Sequence, residues 1–208
     1  MRKITLNSNA KPVKKRSYRL NPKYKEKVCL ELDKMLAVGI IELVEEFDWV
    51  SPMVVQEKKQ KDEIMICVDL IKLNDVCVHD TFPTPFIDEV LDNVGGQEAY
   101  SFTDGFSRYH QIKIAPEDKS KPTFVTEWGC FQYTVMPFGL KNVLAIFSCV
   151  VIVTLKEFIH RFFEVYFDDW TMFGLVKHHV ASFCLMLDMC QRYQMTLNLD
   201  QPWLLSLL

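Results

Sequence analysis

Phe162-Phe163-Glu164-Val165-Tyr166-Phe167-Asp168-Asp169-Trp170-Thr171-Met172-Phe173 sets two adjacent acids between two runs of aromatic and β-branched residues. Such runs form strands, and a short polar interruption reads as a tight hairpin with both acids at its tip. A further apolar run over residues 99–103 ends at Asp104, within Ser101-Phe102-Thr103-Asp104-Gly105. If these strands are neighbours, Asp104 and Asp168 converge at one sheet edge, where hard carboxylate oxygens suit Mg²⁺. Asp169 is the third carboxylate, expected to orient the turn or to assist a metal indirectly. An isolated Asp-Asp pair is most often turn chemistry alone, so the surrounding blocks decide the reading.

Those blocks run in order from Trp49 to Gly174. They are Trp49-Val50-Ser51-Pro52, Cys67-Val68-Asp69-Leu70 through Lys72-Leu73-Asn74, the stretch from Phe102 to Ile112, Met136-Pro137-Phe138-Gly139-Leu140 with Asn142, and the Tyr166 hairpin. In this order they resemble the reverse transcriptase of gypsy-type LTR retrotransposons. The resemblance implies an α/β (α+β) chain holding the fingers and palm of the right-hand polymerase fold. It implies an RNA-directed DNA polymerase that adds deoxynucleotides to a primer 3′-hydroxyl. Its partners are then an RNA or DNA template with primer and deoxynucleoside triphosphates, and its cofactors two Mg²⁺ ions, with Mn²⁺ as a substitute, at Asp104, Asp168 and Asp169. In two-metal phosphoryl transfer one ion activates the attacking hydroxyl and the other steadies the leaving pyrophosphate, so the protein chiefly supplies fixed anionic oxygens. By the same resemblance, Tyr109 screens the sugar of the incoming nucleotide, while Phe138 and Gly139 shape its pocket.

Composition fits a folded chain: of 208 residues, 49% are hydrophobic, ample for a core. The longest uncharged apolar stretch, residues 142–155, is shorter than the roughly 18 residues a membrane span requires, and reads as a buried helix. No secretory signal opens the chain, and seven cysteines at irregular spacing point to reduced thiols. The expected location is intracellular, cytoplasmic or nuclear. Net charge is −3, yet residues 1–27 hold ten Lys or Arg against one acid. Lys11, Lys14, Lys15, Arg16 and Arg19, with Lys58, Lys59 and Lys61 in a later turn, are candidates for phosphate contacts. For the first segment a solvated tail is the plain alternative. Lys58, Lys59 and Lys61 are the expected triphosphate contacts.

Along the chain, Asn21-Pro22 reads as the start of a helix carrying Tyr24, Val28, Leu32, Met35 and Leu36 on one face and stopping at Gly39. Strands are expected over residues 40–44, 53–56 and 64–70, with a polar turn at 58–63. Thr84-Pro85 starts a second capped helix ending near Gly95-Gly96. Strands at 124–126 and 130–135 flank the Trp128-Gly129 turn, a helix covers 142–162, and another covers 177–195 with Val180, Phe183, Cys184, Leu187 and Cys190 on its packed face. The resulting division is a basic arm at 1–20, a fingers-like region at 21–98, a palm at 99–199 and a short tail at 200–208 outside the family pattern, with thumb and RNase H absent.

Other clusters point elsewhere only weakly. Cys67, Cys77 and His79 lack zinc-site spacing and read as structural. His178-His179 reads as solvated at a helix start, and His110 as a packing or surface residue beside Tyr109. Neither a glycine-rich phosphate loop nor a nucleophile elbow is present. Departures from the family pattern favour a second reading, a catalytically dead, retroelement-derived fragment retaining at most nucleic-acid binding. Met65 and Ile71 stand where Arg is expected, Arg108 replaces a small residue before Tyr109, and Val143-Leu144 replaces Ala-Pro. Losing one guanidinium that steadies developing charge costs about 10²–10³ in rate.

Overall fold

In the computed structural model, residues 1–58, 63–82, 86–105, 108–198 and 206–207 are described, without the side chains of Asp104, Arg108, Ser206 and Leu207. In chain order the elements are α1 (Lys25–Ala37), β1 (Ile41–Leu43), β2 (Ser51–Glu57), β3 (Ile64–Val68), α2 (Ile71–Val76), α3 (Ile87–Val94), β4 (Ala99–Asp104), β5 (Thr123–Thr126), β6 (Gly129–Tyr133), α4 (Val143–Leu155), β7 (Phe163–Tyr166), β8 (Asp169–Gly174), α5 (Val176–Arg192) and β9 (Ser206–Leu207). Contacts divide the chain into two compact units that interleave in sequence. The first is Met1–His79 with Ile112–Val143, and the second is Asp80–Gln111 with Leu144–Leu208. This differs from one cut at residue 98: residues 80–98 cluster with the second unit and 112–143 with the first.

The first unit holds a five-stranded sheet in the order β1-β6-β5-β2-β3. Its strands pair antiparallel except β2 and β5, where Ser51 lies opposite Phe124 in parallel register. Phe124 is fully buried, its ring 5.7 Å from Phe131 and 5.4 Å from Tyr133. Asn21 Oδ1 accepts the Lys23 N–H at 3.1 Å, Pro22 opens a single 3₁₀ turn, and α1 follows with Val28 and Leu32 buried. Gly39 closes that helix at φ +73°, a left-handed conformation that only glycine takes without cost.

The N-terminal segment is tied down rather than trailing in solvent. Arg2 bridges to Ile114, Leu6 to Cys77 and Lys14 to Val50. Ile4 is buried, and its N–H donates to the buried Asp118 carboxylate at 2.7 Å. Lys11, Lys14, Arg16 and Arg19 stay exposed.

The second unit holds an antiparallel sheet in the order β7-β8-β4-β9. Alternation along its strands buries Phe163, Val165, Trp170, Met172, Ser101 and Thr103, a period-2 pattern whose members share one face. Phe147, Val151 and Leu155 repeat every four residues along α4 and are fully buried, with Phe147 stacked on Trp170 at 6.4 Å. The helix ends at Leu155 rather than 162. The charged Lys156-Glu157 pair begins a turn, and His160 takes φ +62°, which no helix continues through. Among the described residues no helix is long and apolar enough to cross a membrane.

The packed face of α5 is rotated by about one residue from the expected one. His179, Met186 and Cys190 are buried, while Val180 is 72% exposed and Cys184 and Leu187 are also exposed. His179 is therefore not solvated. Ser101 Oγ, buried in β4, requires a partner, and His179 Nε2 supplies it at 2.8 Å. Burial also holds the His179 ring below its ordinary pKa, and pushes the Cys190 thiol up to about 11. Thr84-Pro85 lies outside the described residues; α3 itself begins at Ile87 after Phe86, which makes no side-chain cap.

Candidate active site

The antiparallel register fixes the carboxylate positions in the second unit. Residue by residue, β4 opposes β8 from Ala99 against Gly174 to Asp104 against Asp169. Directly opposed positions in such a pair sit about 5 Å apart at Cβ, so two acidic residues end two neighbouring strands at the same level. Tyr166 pairs with Asp169, which makes Phe167-Asp168 the two-residue connection. Only one of the two acids is thus in the turn: Asp169 is already the first residue of β8. Phe167 takes φ +54°, as a two-residue hairpin turn asks of its first position.

Three contacts hold the turn. Ser148 Oγ on α4 donates to the Phe167 carbonyl at 3.4 Å, and the Tyr166 and Phe167 rings meet edge to face at 4.7 Å. Tyr109 Oη donates to Asp168 Oδ2 at 2.8 Å. Tyr109 lies on a 3₁₀ turn, Arg108–Gln111. Gln111 anchors that turn by exchanging two hydrogen bonds with the Thr196 backbone, each 2.9 Å. The Tyr109 ring also packs edge-on to Phe147 at 5.9 Å, and Phe147 stacks on Trp170. A closed chain of contacts therefore runs from Asp168 through Tyr109 and Phe147 back to the hairpin. His110 is half-buried, and desolvation holds its ring below the ordinary pKa.

Two carboxylate-bearing positions at the ends of adjacent strands, with a third in the turn beside them, are a donor set of hard oxygens that fits a divalent cation such as Mg²⁺. Among the described residues no three acidic, His or Cys side chains gather at one point; the Asp104 side chain, which would be the third, is outside that description.

The remaining expected site residues belong to the first unit. Phe138 is 64% exposed. Gly139 takes φ +88°, and its carbonyl accepts from Asn74 Nδ2 at 2.8 Å while Asn74 Oδ1 accepts from Lys141 N at 2.8 Å. Asn74 thus clamps the turn that presents Phe138. Lys58 pairs with Glu63 at 3.3 Å, and Lys59 and Lys61 fall outside the described residues. Met65 faces outward from β3 and Ile71 is exposed at the start of α2. One cluster had no signal in local sequence: Asp69 accepts from Lys15 Nζ at 3.0 Å and Tyr18 Oη at 2.9 Å. The Lys15 hydrogen bond leads in holding the Asp69 carboxyl below the usual carboxylate range.

Residues 55–200 match the family described as reverse transcriptase (RNA-dependent DNA polymerase). An RNA-directed DNA polymerase homolog from Oenothera berteroana is 34% identical over 115 residues, 55% of this chain and 81% of that protein. The retrovirus-related Pol polyprotein from transposon gypsy of Drosophila melanogaster is 32% identical over 168 residues, 78% of this chain. The alignment spans only 16% of that polyprotein. The foamy viral protease-reverse transcriptase solved with an RNA/DNA hybrid superposes with a TM-score of 0.85 at 18% identity, over 100% of this chain and 27% of the other. At that identity it speaks to the fold, which is the reverse transcriptase fold. The matched stretch takes in β4, the hairpin and all of α5, so the chain belongs to the reverse transcriptase (RNA-dependent DNA polymerase) family, and its likeness to the gypsy polyprotein agrees with a gypsy-type member.

Proposed function

We propose that this chain is the nucleotidyl-transfer core of an RNA-directed DNA polymerase, extending a primer 3′-hydroxyl with deoxynucleotides on an RNA or DNA template. The observation that carries the reading is the register: Asp104 opposes Asp169, with Asp168 one residue away in the turn. On this reading the three carboxylates hold two divalent ions, Mg²⁺ or Mn²⁺. Bound there, the ions would activate the attacking hydroxyl and neutralise the leaving pyrophosphate. Asp169 contributes from a rigid strand position. Asp168 contributes from a turn whose geometry Ser148 and Tyr109 restrain. Tyr109 gives up its bond to Asp168 as the site fills, and its ring then screens the sugar.

Exposed Phe138, on the turn that Gly139 closes, offers an aromatic surface for the nucleotide, and Lys58, Lys59 and Lys61 offer cations for its phosphates. Exposed Lys11, Lys14, Arg16 and Arg19 add sequence-tolerant attraction to a nucleic-acid backbone. The first unit would serve as the fingers and the second as the palm. Foamy viral relatives solved with double-stranded DNA and with an RNA/DNA hybrid support a template-primer duplex as partner.

Single-nucleotide primer extension on an RNA template with Mg²⁺, at high protein concentration, tests the proposal. Extension is expected from the parent and not from Asp168→Asn, which weakens metal coordination but leaves the basic surface, and so template binding, intact. Equal extension by Asp168→Asn refutes the mechanism. A folded parent that binds template-primer without extending it supports the binding-only fragment instead.

A further inference from the structure

We propose that the cavity between α3, α4 and β7, outside the carboxylate site, binds a small organic cation with an aromatic or apolar body. The cavity measures about 430 Å³, within the range of small-ligand sites. Its walls are apolar, among them Phe82, Phe86, Val90, Ile152 and Val165, and its polar groups are Glu89, Asn93, His160 and Glu164. None of these has a part in nucleotidyl transfer.

Glu164 is the feature to explain. It sits within β7 opposite Thr171, with its side chain only 4% exposed, where a carboxylate is costly unless its oxygens are satisfied. His160 Nδ1 lies 2.6 Å from Glu164 Oε1, so that nitrogen carries the proton. Asn93 Nδ2, 3.0 Å from the same nitrogen, therefore gives its hydrogen to Glu164 Oε1 at 3.1 Å. Both bonds fall on Oε1, and among the described residues Oε2 receives none.

His160 holds its position at φ +62° through its own N–H, which donates to the Phe163 carbonyl at 3.2 Å. That conformation is unfavourable for a residue with a Cβ, yet it turns the imidazole onto the carboxylate. The result is an oriented, nearly buried acceptor on the wall of an apolar cavity, with exposed Glu89 adding a second negative charge to the lining. An amidinium or ammonium satisfies Oε2 with a charge-assisted bond, and aromatic walls favour a flat apolar body beside it. A neutral ligand of the same shape offers Oε2 no charge-assisted bond.

Benzamidine and its neutral near-isostere benzamide are the probes, titrated into the ¹⁵N-labelled chain and followed by amide chemical shifts. Benzamidine is expected to move signals of residues 86, 93, 160 and 164 and to bind about tenfold or more tighter than benzamide, the ratio one charge-assisted hydrogen bond supplies. A folded Glu164→Gln chain should lose that preference. Phe86→Ala, at a residue 77% exposed and so tolerant of truncation, should weaken both probes. Should Glu164→Gln fail to fold, the benzamidine–benzamide ratio and Phe86→Ala decide alone. Equal affinities for the two probes, shifts confined to other residues, or no shift at millimolar benzamidine overturn the proposal.

Discussion

Replacing Tyr109 by Phe separates two quantities that ordinarily move together. The variant keeps the ring that packs against Phe147 and removes only the hydroxyl that donates to Asp168 Oδ2 at 2.8 Å. A hydrogen bond to a charged acceptor contributes roughly 1.5–3 kcal/mol, and since Asp168 is only half-buried, water recovers part of this. We expect folding stability to fall by about 1 kcal/mol, read as a lower urea midpoint. Metal affinity should move the other way. If a divalent ion must displace the phenol from Asp168, deleting the phenol removes a competitor worth, at its upper bound, about 10- to 150-fold in Kd. With water taking over part of that role, Mn²⁺ should bind roughly tenfold tighter to Tyr109→Phe, measured by calorimetry or by loss of the free-ion paramagnetic resonance signal. A variant that binds Mn²⁺ no tighter than the parent, while its stability falls as expected, shows that Asp168 does not need to be released, and the argument fails.

Two further outcomes follow from packing in the same unit. His179 is held neutral by burial, its folded pKa below the ordinary value near 6.5; its contribution is complete above that pH and is lost as pH falls toward the folded value, because the unfolded chain then binds the extra proton. The urea midpoint should therefore drop between pH 7.5 and pH 5.5, and His179→Gln should flatten that dependence; a slope identical in both chains would falsify the assignment. Phe147→Ala empties a fully buried site between Trp170 and Tyr109 and should cost about 3–5 kcal/mol, visible as a lower midpoint together with loss of the Trp170 near-ultraviolet signal. A cost under about 1 kcal/mol would mean that this aromatic stack is not the packing centre of the unit.

What could be read in advance was set by local pattern. The strands around Asp104 and Tyr166 were legible because runs of aromatic and β-branched residues favour strands, and the acids that end or interrupt those runs fall at strand ends or in the turn between them. The turn was misjudged by one residue because Asp168 and Asp169 are chemically alike, and only the pairing of Tyr166 with Asp169 separates turn from strand. In α5 apolar residues populate both sides, so periodicity could not choose between a face through Val180 and one through Met186; the hydrogen bond between Ser101 and His179 goes with the latter. In α4 the apolar character is all-round, which hides both the packed stripe and the stop after Leu155. The Asp168–Tyr109 and Asp69–Lys15 contacts join residues 59 and 54 positions apart, and no one-dimensional signal carries them.

The interleaving of the two units sets an order on synthesis. A ribosome adds about 5–20 residues each second, and the sheet of the first unit needs β5 and β6, which follow β4 of the second. The emerging first unit must therefore wait, with β2 lacking its parallel partner, while residues 80–111 are made and held without β7 and β8. Neither unit is a contiguous piece that can be excised. A nonsense codon between residues 105 and 122 leaves β2 without β5 and β4 without β8, open edges of the kind on which chains pair with one another. Such truncations give aggregation-prone fragments rather than half-functional ones.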